Sequence, residues 1–152
     1  MTFQSKKRKA NEKKEKTEKK KAKDPMYVLM SIRPEYAHAI VDGRKRVEFR
    51  KGGNTRIKRI YIYSTAPDQT VLGYADVKAV EVHKKKDAWE KYGDVGCIDK
   101  KKFSEYYRWA DEAVVFVLGD VTVYDKPKQL SEFGVARPPQ MYMRLKEKNI
   151  PD

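Results

Sequence analysis

The stretch SIRPEYAHAIVDGRKRVEFR, residues 31–50, reads as the end of one strand, a short helix, a stop and the start of another strand. Pro34 suits the first helical turn, where its missing N–H costs nothing, and Glu35 complements the positive end of the helix dipole. Ala37, Ile40 and Val41 supply an apolar face, and Gly43 stops the helix after Asp42. From Lys45 to Arg50 the period changes to two, with Val47 and Phe49 on one side and Arg46, Glu48 and Arg50 on the other. Glu48 therefore shares a strand face with Arg50 and lies near Lys45. A carboxylate beside two cations offers an acceptor and several donors, enough to hold a phosphate or a base edge. The same residues also fit a solvated strand face whose charges merely pair with one another.

Upstream, Tyr27 to Ile32 is apolar and β-prone and gives the first strand. Downstream, Gly52-Gly53-Asn54 breaks the chain before a strand from Ile57 to Ser64, with Ile60 and Ile62 on one face and Tyr61 and Tyr63 on the other. Pro67-Asp68 turns it into a long strand, Val71 to His83, whose alternation slips at Ala79-Val80 and predicts a bend or bulge there. Helical stretches follow at 87–92 and 99–109, separated by Gly93 and Gly96. An apolar strand, Ala113 to Tyr124, reads as broken at Gly119-Asp120. A helical turn at Leu130–Phe133 and a closing segment, Arg137 to Leu145, complete the pattern. The fold class is α+β: five or six strands in an open or closed mixed barrel with short helices inserted, rather than a doubly wound sheet.

Charge is distributed in two parts. The chain carries 35 Lys and Arg against 22 Asp and Glu, a net of +13. Residues 1–25 form a lysine-rich tail expected to be disordered, because nothing in it could dock on a core; residues 26–152 form the domain. In the tail, Lys6, Lys7, Arg8, Lys9, Lys13 and Lys14 are candidate phosphate contacts. Such a surplus favours a polyanionic partner, since neutralised phosphates release counterions.

The remaining composition narrows the function by exclusion. One cysteine, Cys97, permits neither an internal disulfide nor a cysteine zinc site and is read as structural. His38 and His83 lack partners at ligand spacing, so no metal or other cofactor is expected. No apolar run approaches the length of a membrane span, and nothing at the N-terminus reads as a secretory signal, so a soluble cytoplasmic protein is expected. Trp89, Trp109 and the tyrosines are possible base-stacking platforms, yet Phe103, Tyr106, Tyr107 and Ala110 fall at helical spacing and read as core. Lys84–Lys86 and Lys100–Lys102 read as surface charge that could extend a basic rim.

Three motifs in order carry a family resemblance. Gly43-x-Lys45-x-x-Glu48-x-Arg50, then Tyr63-Ser64-Thr65-Ala66-Pro67 with Val71-x-Gly73, then Pro138-Pro139-Gln140-x-Tyr142 resemble the ASCH family of the PUA-like superfamily, in its stand-alone archaeal and bacterial form. The resemblance runs from about Tyr27 to Leu145 and leaves out the tail. It implies a barrel with a cleft beside the first helix in which Lys45, Glu48 and Arg50 lie. It further implies RNA as the partner, a base or backbone feature as the thing recognised, and Arg33, Tyr36 and Ser64 as flanking residues. Gln140 and Tyr142 enter only through the terminal motif. A basic tail on a small domain is also how proteins reach into rRNA, so ribosome or ribonucleoprotein association is a sub-reading.

The same family contains enzymes. Its acetylcytidine amidohydrolases place a Thr where this chain has Glu48, so a candidate hydroxyl nucleophile is missing. A lysine base needs a depressed pKa, and a neighbouring carboxylate works in the opposite direction. Ribonuclease members remain a second enzymatic alternative, and a transcription-linked protein-interaction module a third reading.

Overall fold

A computed structural model describes residues 25–151. The candidate phosphate contacts of the tail, from Lys6 to Lys14, lie outside the described residues. The elements are β1 (Met26–Ile32), α1 (Pro34–Val41), β2 (Val47–Arg50), β3 (Ile57–Ser64), β4 (Thr70–Lys84), α2 (Lys85–Tyr92), α3 (Lys100–Tyr106), β5 (Glu112–Lys128) and β6 (Tyr142–Arg144), with 3-10 turns at Gly93–Val95, Leu130–Phe133 and Glu147–Asn149. The strands form one mixed sheet in the order β2-β5-β4-β3-β1-β6. Among the described strands β1 and β3 run parallel, and the other neighbours are antiparallel. The sheet is open, since β2 and β6 end it. Among the described residues no helix is long and apolar enough to cross a membrane.

β1 is apolar on both faces because both faces are covered. Val28, Met30 and Ile32 pack with Ala37 and Ile40 of α1, Ile60, Ile62 and Phe116. Leu29 points the other way, to Tyr61, Tyr63, Phe133 and Leu145. A third cluster joins Val47 and Phe49 of β2 to Ala88, Phe103, Tyr107 and Val115, which docks the α2–α3 insertion on the edge strand. The core expected of Phe103 and Tyr107 is therefore present, each being buried.

The strands differ from expectation in three places, one being that β5 runs on to Lys128 rather than ending at Tyr124. β5 is not broken at Gly119-Asp120. It runs through, and three β5 steps from Leu118 to Val121 oppose two β4 steps from Val77 to Ala75. A bulge absorbs the extra residue without ending the ladder. The slip read at Ala79-Val80 lies one step earlier, between Val77 and Ala79. The second helix of the insertion closes at Tyr106 with Tyr107 as its cap, short of Trp109.

The exit of α1 fixes where the next residues point. Gly43 has φ +80°, with its N–H on Ile40 O at 3.0 Å and the N–H of Arg44 on Ala39 O at 3.0 Å. This is a Schellman motif, which satisfies the last carbonyls and swings the chain out of the helix. The Lys45 N–H also donates to Ala39 O, at 3.0 Å, so the turn holds Lys45 directly. A Cβ at Gly43 would meet nothing within 4 Å, which leaves backbone conformation as the whole requirement. Gly43→Ala should lower the unfolding free energy by about 1–2 kcal/mol, and Gly43→Asn by less, measured by chemical denaturation.

Candidate nucleic-acid cleft

The end of β1, the start of α1, strand β2 and helix α3 enclose a cleft of about 610 Å³. Its lining includes Arg33, Tyr36, Lys45, Glu48 and Arg50, with Ser31, Thr65, Ile98, Lys102, Glu105, Tyr106 and Gln140. Lys45 and Glu48 are 4% and 6% exposed, which rules out a solvated strand face. Arg50 Nε donates to Glu48 Oε1 at 3.2 Å, and its Nη2 reaches the Ser31 carbonyl at 3.1 Å. That second bond ties edge strand β2 to the C-terminal end of β1, across the seam of the curled sheet. The Tyr107 hydroxyl donates to the Arg50 carbonyl at 2.8 Å and anchors the same residue from the insertion side.

Lys45 Nζ donates to the Gly96 carbonyl. It stands 3.9 Å from Glu48 Oε2, an ionic contact longer than a hydrogen bond. The rings of Tyr36 and Phe49 lie 5.1 and 5.6 Å from it. A Cβ at Gly96 would collide with the Phe49 ring, so only glycine brings its carbonyl this close to the lysine. Burial pushes the Lys45 ammonium below its ordinary value, outweighing the opposing charges of Glu48 and Cys97, and Arg50 adds to the depression. The expected upward pull of Glu48 is thus present but smaller than desolvation. Glu48 Oε2 is buried without a hydrogen-bond donor. A buried carboxylate oxygen left unpaired is costly, and a ligand N–H or O–H would relieve that cost.

The other residues singled out from the sequence divide. Arg33 is exposed at the mouth, Tyr36 is half-buried in the wall with its hydroxyl pKa raised by burial and Glu35, and Gln140 joins the lining. Ser64 is placed elsewhere: it is fully buried and donates to Asp68 Oδ2 at 2.7 Å, while its neighbour Thr65 faces the cleft. Tyr142 packs against the main apolar core and is absent from the lining. Of the lysine runs only Lys102 reaches the cleft, where it stands 3.8 Å from Glu35 of α1.

The histidines do have acidic neighbours in space, Asp68 for His38 and Glu81 for His83, each at 2.7 Å. No group of metal-ligating side chains forms among the described residues. Cys97 is exposed and adopts φ 52°, in the loop that supplies Gly96. Sequence reasoning missed the roles of Gly96, Ile98, Glu105 and Tyr106, and of α3 it offered only the Lys100–Lys102 run as a possible basic rim. The i, i+4 pair Lys102 and Tyr106 was the available signal, but Tyr106 reads as core.

Comparison with known proteins agrees with this architecture. The ASCH domain model matches residues 30–136. A protein of Zymomonas mobilis named ASCH domain-containing ribonuclease is 33% identical over 103 residues, covering 64% of this chain and 67% of its own length. The crystal structure of ASCH from Zymomonas mobilis superposes with a TM-score of 0.77 at 29% identity, covering 83% of this chain and 92% of that one. Two proteins of Ureaplasma parvum serovar 3 match over 121 residues: large ribosomal subunit protein uL22 at 31% identity and ATP synthase subunit alpha at 29%, each over 78% of this chain. This chain spans only 39% and 15% of their lengths. With the strand order, the cleft and the family match in agreement, the chain belongs to the ASCH domain family, with a PUA-like α+β fold.

Proposed function

We propose that this protein binds RNA through the cleft, with Lys45, Glu48 and Arg50 contacting one unpaired nucleotide and the tail, residues 1–25, adding non-specific attraction to phosphates. The observation that carries the reading is a cavity lined by Arg33, Arg50 and Lys102 together with Lys45 and the buried Glu48, whose Oε2 has no hydrogen-bond donor. An anion alone would be repelled by that oxygen. A nucleotide brings both parts, a donor on its base edge for Glu48 and phosphates for the cations at the mouth. Tyr36 is in the same lining, and the ring face that Lys45 does not cover would stack on the base. Placement on the ribosome is not favoured by the uL22 match, because a match of equal length occurs in an ATP synthase subunit.

A second reading, RNA cleavage, is supported by the relative named a ribonuclease and by Lys45 itself. A lysine whose pKa is lowered by burial holds a larger fraction of free amine near neutrality and can accept a proton.

RNA binding across a salt series tests the first reading with the full chain, a chain beginning at Met26, and Lys45→Ala. Removal of the tail should flatten the slope of log affinity against log salt by about 0.7 for each phosphate that the tail neutralises. Lys45→Ala should weaken binding at every salt concentration, and no change on that substitution would refute the cleft as the site. Cleavage of single-stranded RNA as a function of pH tests the second. With Lys45 as base, activity rises with pH as its proton leaves, on a limb below the ordinary lysine value of 10.5. Glu48 favours the charged amine, so Glu48→Gln should move that limb to lower pH. A limb that stays in place would exclude Lys45 as the base.

A further inference from the structure

Outside the cleft, the described residue least matched to its surroundings is Trp109, 93% exposed although indole gains more than most side chains from burial. Its turn is held firmly. Tyr107 is fully buried, and its carbonyl accepts from the Ala110 N–H at 3.0 Å and from Lys85 Nζ at 3.2 Å. The Lys85 N–H donates to the Asp111 carbonyl at 3.1 Å. The ring is therefore presented by a fixed backbone.

Its position relates it to the cleft. Tyr106, three residues earlier, is part of the cleft wall. Consecutive Cα atoms are about 3.8 Å apart, so the Cα atoms of Tyr106 and Trp109 lie within about 11 Å. About three stacked-base steps of roughly 3.4 Å span that distance, and fewer steps suffice once the strand is unstacked. Cations lie at both aromatics: Lys51 Nζ is 4.7 Å from the centre of the Tyr106 ring, and Arg108, which precedes Trp109 in sequence, is exposed. Lys84, Lys86, Asp111 and Glu112 are also exposed. Apart from Val82, half exposed two residues before Lys84, the exposed residues that flank this turn are charged, which favours a flat, polar-edged ligand.

We propose that Trp109 is a stacking platform for an unpaired base of a single RNA strand, whose neighbouring nucleotide occupies the cleft. The proposal rests on the RNA-binding reading and adds a second subsite to it. A duplex keeps its base faces covered, so the platform selects single-stranded RNA over paired RNA.

The test uses the full chain in a Trp89→Phe background, which leaves Trp109 as the reporter of the two tryptophans. Binding of a mononucleotide and of a short single-stranded oligonucleotide is followed by intrinsic fluorescence, with Trp109→Ala titrated separately by anisotropy of a labelled oligonucleotide. The oligonucleotide should quench Trp109 emission. Trp109→Ala should weaken oligonucleotide binding roughly 5- to 150-fold, with an unchanged salt slope and unchanged mononucleotide binding. Trp109→Phe should retain most of the affinity, and Lys45→Ala should weaken both ligands. If Trp109→Ala binds the oligonucleotide as tightly as the parent while Lys45→Ala does not, the platform is wrong and the cleft reading stands. If neither substitution matters, or no RNA binds, both fall. If Trp109 emission instead tracks protein concentration and Trp109→Ala abolishes self-association, the ring faces a second copy of the chain and the proposal is overturned.

Discussion

The cleft depends on one buried carboxylate held between two cations. Glu48 receives Arg50 Nε on one oxygen and faces Lys45 across 3.9 Å with the other. Taking three ionic groups out of water costs far more than an exposed pair returns, and the arrangement persists only because both cations have further partners. Arg50 has the Ser31 carbonyl, and Lys45 has the Gly96 carbonyl and two ring faces. Glu48 Oε2 is the member left short of a hydrogen bond. Native interiors rarely leave such an atom unpaired, and the nucleotide proposed for the cleft would supply the missing donor.

The same contacts tie local turns to the global fold. Arg50 sews edge strand β2 to β1, which are not neighbours in the sheet, so the curl of the sheet and the shape of the cleft are one constraint. The Schellman turn at Gly43 aims Lys45 inward, and the α2–α3 insertion delivers the Gly96 carbonyl that meets it. The insertion is fixed in turn by Phe49, Phe103 and Tyr107, whose rings pack at 5.0 and 4.7 Å. A disturbance in that aromatic cluster therefore reaches the cleft through Gly96 and through the Tyr107–Arg50 bond.

What could be read from the sequence follows from the range of the interactions involved. Pro34, Gly43 and the alternation after Lys45 are local signals, and the strand–helix–strand unit they imply is present. The grouping of Lys45, Glu48 and Arg50 also followed from short-range spacing. Their burial did not, because it depends on α3 and on a glycine 51 residues away from Lys45. Ser64 shows the opposite limit. Its place at a strand end put it beside the cleft by sequence, but its hydroxyl is committed to Asp68, and the residue after it holds the lining position. Gly119-Asp120 read as a break since a bulge and a strand end share the same residues.

The two roles open to Lys45 oppose each other physically. Its lowered pKa reflects desolvation that outweighs one carboxylate, with Arg50 adding repulsion. A phosphate seated in the cleft would bring a second negative charge, favour the ammonium and reverse much of that depression. An RNA backbone held against Lys45 thus converts it into a charged anchor and removes its capacity as a base. A neutral base edge held by Glu48, with phosphates kept outside at Arg33 and Lys102, would leave the depression in place. Were a nucleotide to occupy this cleft as proposed, the part of it that meets Lys45 would decide whether the lysine serves as a charged anchor or keeps its capacity as a base.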